Sequence, residues 1–168
     1  MSKTPKNYEH LVGKINGLSE RQLKAHLDLY QGYVKKLNEI EERLGTVDRS
    51  LANYSFGEYS ELKRREPVAF NGTYLHELYF DALGGTGEGM PETFKQAATT
   101  AFGSTDRWLI DVKGMASSAH GWALTTWSAQ EARLRNVLVQ SEHHVGLLVD
   151  QKVILAVDLW EHAYFLDY

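Results

Sequence analysis

The chain has 168 residues, 43% apolar and 24% charged, with three prolines, no cysteine and a formal net charge of −4. That is enough to bury one core or two small layers, and it excludes disulfides, thiolate ligands and a cysteine nucleophile. The charge leaves no broad basic footprint for nucleic acid, and runs such as VILAV at 153–157 are too short to span a membrane.

The first element is a helix. Ser19 is its expected N-cap, with Gln22 three residues on completing the pattern of a capping box. Leu23, His26, Tyr30, Tyr33, Leu37, Ile40 and Leu44 then recur at spacings of three and four, one continuous helical stripe, with Gly45 as the expected stop. The turn-rich stretch 46–57 predicts a loop with a short helical piece. A second helix is predicted over about 58–83, interrupted or kinked near Pro67, with Ala69, Gly72, His76, Tyr79 and Leu83 as its stripe. GGTGEG at 84–89 is the clearest linker. Residues 1–88 therefore predict a helical hairpin domain, with one histidine on the inward stripe of each long helix.

The second half changes character. PETFKQAATTAFG at 91–103 and a segment near 105–115 predict helices. Three β-like runs follow at 121–127, 132–140 and 152–158, the first two joined by the hairpin-length turn SAQE. The expected class is α+β, a helical hairpin followed by an α/β domain over 89–168 with a small three-stranded antiparallel sheet.

Chemistry concentrates in the dense aromatic stretch DLWEHAYFLDY at 158–168. So many bulky groups expect burial, and a buried carboxylate or imidazole expects a partner. Asp158 and His162 join His26 and His76 as the groups to weigh. Alone, a histidine on an apolar face is an ordinary core residue, and an aspartate ending a strand is an ordinary cap. Together, three imidazoles and a carboxylate make a mixed nitrogen and oxygen set that suits iron, manganese or zinc.

DLWEHAYF at 158–165 resembles the iron/manganese superoxide dismutase signature, Asp-x-Trp-Glu-His-small-aromatic-aromatic, at every fixed position. HLDLYQGYVKKLN at 26–38 resembles that family's first helix, and HELYFDAL at 76–83 the segment carrying a second ligand histidine. AFGS at 101–104 and GW at 121–122 fall in the family's order, so the resemblance runs from about residue 9 to the last residue. It implies that His26, His76, Asp158 and His162 ligate one iron or manganese ion, that Tyr33 stands at the substrate entrance, and that Trp122 and Trp160 wall the site. It implies that Glu161 reaches across a homodimer or higher homo-oligomer to a second copy's His162. The implied substrate is superoxide, and the implied products are dioxygen and hydrogen peroxide. With no apolar segment behind the lysines of MSKTPKNYEH, the expected compartment is the cytoplasm.

The chain also departs from the family. A glutamine usually tunes the metal; one turn before His76 stands Gly72, so the second helix supplies none. The other source falls in SEHHVG at 141–146, where His143, with His144 beside it, is the candidate. The first helix is one residue shorter between His26 and Tyr33, which predicts loss of a π-bulge and a regular helix. The usual entrance histidine is replaced by Leu29 or Tyr30, and its cross-dimer tyrosine partner by Phe165. Finally, the family normally continues past residue 168 into another helix, so apolar surface is expected to lie uncovered there. The main alternative keeps this fold and loses the enzyme, as a structural or metal-binding relative. A hydrolytic zinc protein is the weaker third reading, because no dedicated general base stands near the ligands.

Overall fold

Ser19 opens α1 (Glu20–Thr46), its hydroxyl accepting from the Gln22 N–H at 3.1 Å. Only this half of the expected capping box forms. The Ser19 N–H goes instead to Asp167 (2.6 Å), because the Gln22 side chain is buried and committed to the C-terminal turn. α1 is a regular α-helix throughout, as the shortened spacing predicts, and it buries Leu23, His26, Leu27, Tyr30, Val34, Leu37 and Ile40. Tyr33 is half-buried. Gly45 does not end the helix; the break comes at Val47, which turns extended while its N–H still reaches the Arg43 carbonyl at 2.9 Å.

A loop with a 3-10 turn at Arg49–Leu51 leads into α2 (Glu58–Ala82). This helix runs through Pro67 without interruption, against expectation. Proline removes one rung, the bond to the Lys63 carbonyl. Lys63 is exposed, so water can take that carbonyl. Arg43 near the end of α1 pairs with Glu58 at the start of α2 (2.5 Å), and the His26 and His76 rings meet at 5.1 Å. The two helices are therefore the antiparallel hairpin expected.

The computed structural model describes residues 2–85 and 88–168, so two residues of the expected 84–89 linker, Thr86 and Gly87, lie outside the described residues. α3 (Glu92–Phe102) and α4 (Thr105–Ser117) follow, meeting at Gly103 with φ +90°. Ala98, Trp108 and Val112 from this pair pack against Leu134 of the sheet.

The sheet comprises β1 (Trp122–Ser128), β2 (Arg133–Val139) and β3 (Gln151–Asp158), all antiparallel, in the order β2-β1-β3. Its register sets Trp122 opposite Val139 on one side and Asp158 on the other. The main core joins Leu23, Leu27 and Val34 of α1 and Leu75 and Phe80 of α2 to Trp122, Leu124, Val139 and Ala156 of the sheet. Each fully buried side chain of this size contributes about 1.5–3 kcal/mol. Hairpin and sheet thus share one interior, and the site lies where they meet. Among the described residues no helix is long and apolar enough to cross a membrane.

The N-terminal segment, which the periodicity does not cover, lies across both long helices. Lys3 exchanges two hydrogen bonds with the Asn38 side chain on α1 (2.7 and 2.8 Å), and Tyr8 donates to Asp81 on α2 (2.8 Å).

Candidate metal centre

His26 on α1, His76 on α2, Asp158 at the end of β3 and His162 in the 3-10 turn Glu161–Ala163 come together as the sequence predicts. Four ligand atoms, one from each, lie within 4.8 Å of one another. The Nε2 atoms of His26, His162 and His76 stand 3.1, 3.1 and 3.4 Å from a single atom, Asp158 Oδ2.

Local bonds aim each group. Asp158 Oδ1 accepts the Trp160 N–H (3.0 Å) in a short turn, leaving Oδ2 to the histidines. His76 Nδ1 faces the Gly72 carbonyl at 2.5 Å, so it carries the proton and Nε2 keeps its lone pair. The turn bearing His162 is clamped by Gln22, whose amide donates to the His162 carbonyl (2.6 Å) while its oxygen accepts the Leu166 N–H (2.9 Å).

The protonation states fit a cation. Burial drives the His76 imidazole down to about 3, opposed by the Asp158 charge and reinforced by His26, so it is neutral near pH 7. Burial pushes the Asp158 carboxyl up, but the bonds to His162 and His26 and the charges of the surrounding imidazoles outweigh it, and the net shift is well below the usual carboxylate range. His76 Nε2, fully buried, makes no hydrogen bond. A lone pair facing a carboxylate oxygen is two acceptors without a donor, which is costly unless a cation sits between them. Three imidazoles, of which His76 is neutral, and one carboxylate suit iron, manganese or zinc.

His143 forms the next layer. It is buried, its Nδ1 accepts from the Trp122 indole N–H (2.8 Å), and its Nε2 lies 2.7 Å from the Tyr33 hydroxyl. Indole nitrogen only donates, so Nδ1 is the bare nitrogen and Nε2–H donates to Tyr33. Desolvation lowers the His143 imidazole to about 4, keeping it neutral. Its seat is a turn in which Glu142 (φ +58°) and His143 (φ +61°) are both left-handed, secured by Asn71 donating to the His143 carbonyl (3.0 Å). Gly146 closes the turn at φ +102°, where an added Cβ would lie 2.3 Å from the Leu138 carbonyl oxygen. Of the two candidate histidines only His143 enters the site. His144 is half-buried, and its ring nitrogen turns back to the Glu142 carbonyl (2.7 Å).

Tyr33 leans on α2 at Gly72. A Cβ at position 72 would lie 2.5 Å from its ring, so the tyrosine occupies the space a side chain there would need. Burial, then the Asp158 charge, raises the Tyr33 hydroxyl above its ordinary value, keeping it protonated. Trp122 is fully buried with its ring 5.0 Å from His76, and Trp160 stacks beside His162 at 6.4 Å. Glu161 is exposed, and its carboxylate has no partner among the described residues. Of the two candidate entrance replacements, Leu29 faces a cleft of about 390 Å³ shared with Phe165 and His162. Tyr30 is buried and bonded to Glu77 (2.8 Å).

Sequence reasoning missed the Gln22 clamp and the burial of Glu77. For Glu77 a signal existed. It neighbours His76 and sits one turn from Thr73 and Phe80, so α2 is buried over an arc wider than one stripe.

The family model for the C-terminal domain of iron/manganese superoxide dismutases matches residues 90–168. Over 159 residues the chain is 36% identical to the superoxide dismutase (Fe) of Aquifex aeolicus, covering 92% of this chain and 74% of that protein. It is likewise 36% identical over 159 residues to the superoxide dismutase (Fe) of Cupriavidus metallidurans, covering 92% and 78%. The superoxide dismutase (Mn) of Haloarcula marismortui is 36% identical over 169 residues, covering 98% and 78%.

Proposed function

This chain belongs to the iron/manganese superoxide dismutase family, and from that premise we propose that it disproportionates superoxide at one iron or manganese ion held by His26, His76, Asp158 and His162. The observation that carries this reading is the buried, unpartnered His76 Nε2 facing Asp158 Oδ2 at 3.4 Å in a ring of imidazoles. The bound metal would supply one-electron chemistry between two oxidation states, so that two superoxide ions and two protons become dioxygen and hydrogen peroxide.

The residues around the ligands supply order, dryness and protons. Trp122 packs on the fully buried His76 and keeps bulk water from it, which strengthens the electrostatic interactions there, and Trp160 stacks beside His162. His143 donates to the Tyr33 oxygen, which leaves the Tyr33 proton free to be offered to the product as it forms. Trp122 holds His143 in the tautomer that makes this direction possible.

In this reading residues 1–88 form the helical hairpin domain and 89–168 the α/β domain, each contributing two ligands. The exposed Glu161 serves a homodimer, bonding the His162 of a second copy.

The test is the superoxide dismutation rate per bound metal, measured separately on iron-loaded and manganese-loaded protein. Turnover with either metal at one ion per chain is the expected result. One bound ion per chain with no turnover would leave a metal-binding relative without the enzyme.

A further inference from the structure

Glu77 directly follows His76 on α2 and is 5% exposed. Its Oε1 accepts from the Tyr30 hydroxyl at 2.8 Å and lies 3.0 Å from the Lys3 ammonium, while Oε2 lies 3.7 Å from that of Lys6. Tyr30 sits on α1 one turn beyond His26 and is itself 1% exposed. The Tyr30–Glu77 bond therefore ties α1 to α2 one turn past one candidate ligand and one residue past the other. Phe80 fills the space between, with its ring 5.0 Å from His26, 6.2 Å from His76 and 5.9 Å from Tyr30.

A buried carboxylate is costly unless its charge is matched. Both matching charges come from one N-terminal strap, residues 3–8. The strap is fastened at three points: Lys3 to Asn38, the Lys6 N–H to the Tyr30 oxygen (2.9 Å), and Lys6 and Tyr8 to Asp81 (2.8 Å each). A cleft of about 310 Å³ bounded by Pro5, Leu27 and Tyr30 separates part of the strap from α1. Polar bonds hold the Lys3 and Lys6 end of the strap, and only Tyr8 at its far end packs into the apolar core, its ring 5.1 Å from Phe80.

We propose that Glu77 and Tyr30, neutralised and held by Lys3 and Lys6, are positioning residues that fix the spacing of His26 and His76 and so set how tightly the site retains its metal. This rests on the metal-centre reading above and adds residues outside the ligand ring to it. Metal retention then depends on an N-terminal strap that touches no ligand through a hydrogen bond.

The experiment uses the full chain loaded with manganese. Release into excess EDTA is followed by elemental analysis, alongside the melting temperature of the metal-free protein. Tyr30→Phe should accelerate release about 10-fold, the scale for partners that orient a ligand. Lys3→Met combined with Lys6→Met should accelerate it as well. Glu77→Gln should accelerate it less than Tyr30→Phe, because the amide oxygen still accepts from Tyr30, and this conservative change keeps the test open if another variant fails to fold. Leu134→Ala, in the separate core under α3 and α4, is the comparison: it should lower the melting temperature and leave release unchanged. Wild-type release rates in Tyr30→Phe and in the lysine double variant would overturn the proposal. Equal acceleration by Leu134→Ala would overturn it too, since only general stability would be at work. Wild-type protein that takes up no manganese and no iron would sink the metal-centre reading itself, a failure distinct from these.

Discussion

Two acidic side chains are buried among the described residues, Asp158 and Glu77, and they are balanced in opposite ways. Glu77 faces two ammonium groups and a phenol, so its charge is matched within the chain. Asp158 faces three imidazoles, of which His76 is driven neutral by burial. Both carboxylates hold the long helices to something else, but Glu77 is matched by two ammonium groups, and Asp158 only by imidazoles that could equally turn their lone pairs to a cation. Burial alone does not separate a structural carboxylate from a cation site; the charges of its neighbours do.

Changing each acid to its amide breaks the comparison most directly. Asp158→Asn keeps the shape and removes the charge, and metal affinity should fall by more than about 100-fold, beyond the range for outer partners. Elemental analysis after loading should then find little metal in this variant and near one ion per chain in Glu77→Gln. Equal metal content in the two would erase the distinction.

A second test moves one layer out. His143→Ala leaves the Trp122 and Tyr33 polar groups unpaired, and dismutation per metal should drop about 10- to 100-fold with the metal retained. His143→Gln can accept from Trp122 and donate to Tyr33, so it should change turnover less. Unchanged activity in both would return His143 to a packing role.

The third prediction concerns pH, in the metal-free protein. His76 and His143 have folded values of about 3 and about 4, below the ordinary 6.5 of the unfolded chain. Between those limits the unfolded state binds more protons, so stability falls as pH is lowered from 6.5, with each group contributing up to about 1.4 kcal/mol per pH unit. Asp158, with its depressed value, adds loss only as pH falls below the ordinary 3.8. Denaturant unfolding between pH 7 and 4 should show this slope, and His143→Gln should flatten it. A slope unaltered by that substitution would contradict the buried neutral state of His143.

The smallest effect belongs to an exposed acid. Glu142, next to His143, pairs with Arg65 of α2 at 3.1 Å, with side chains 52% and 62% exposed. Arg65→Ala should cost about 0.5 kcal/mol or less. A loss of several kcal/mol on chemical denaturation would show that this pair, and not burial, secures the turn.

How much of this could be read in advance differs between residues. The hairpin was legible because apolar residues repeat at spacings of three and four, and the sheet because three β-like runs follow, two of them joined by a hairpin-length turn. The clustering of the four candidate ligands was legible through DLWEHAYF and two histidines on inward stripes. The choice between His143 and His144 was not, because consecutive left-handed residues decide which ring turns inward. Nor was the role of Gln22, since a capping glutamine and a buried clamp look alike in a one-dimensional pattern. Glu77 was hidden for a related reason. Its partners stand 47, 71 and 74 positions away, and no local periodicity connects them. Pro67 was over-read as a breaker because the lost rung falls beside an exposed residue.

The candidate ligands' places along the chain have a consequence in time. His26 and Asp158 are 132 positions apart. At 5–20 residues per second, a ribosome delivers the second roughly 7–26 s after the first. Throughout that interval His26, and later His76, are available without the carboxylate that gathers them. The nascent hairpin can therefore offer an ion two of the four candidate ligands, and any ion captured early is held by a fraction of the proposed set. In the proposed reading, commitment to a particular metal waits until β3 seats Asp158 against Trp122, and it depends on which ion is abundant at that moment.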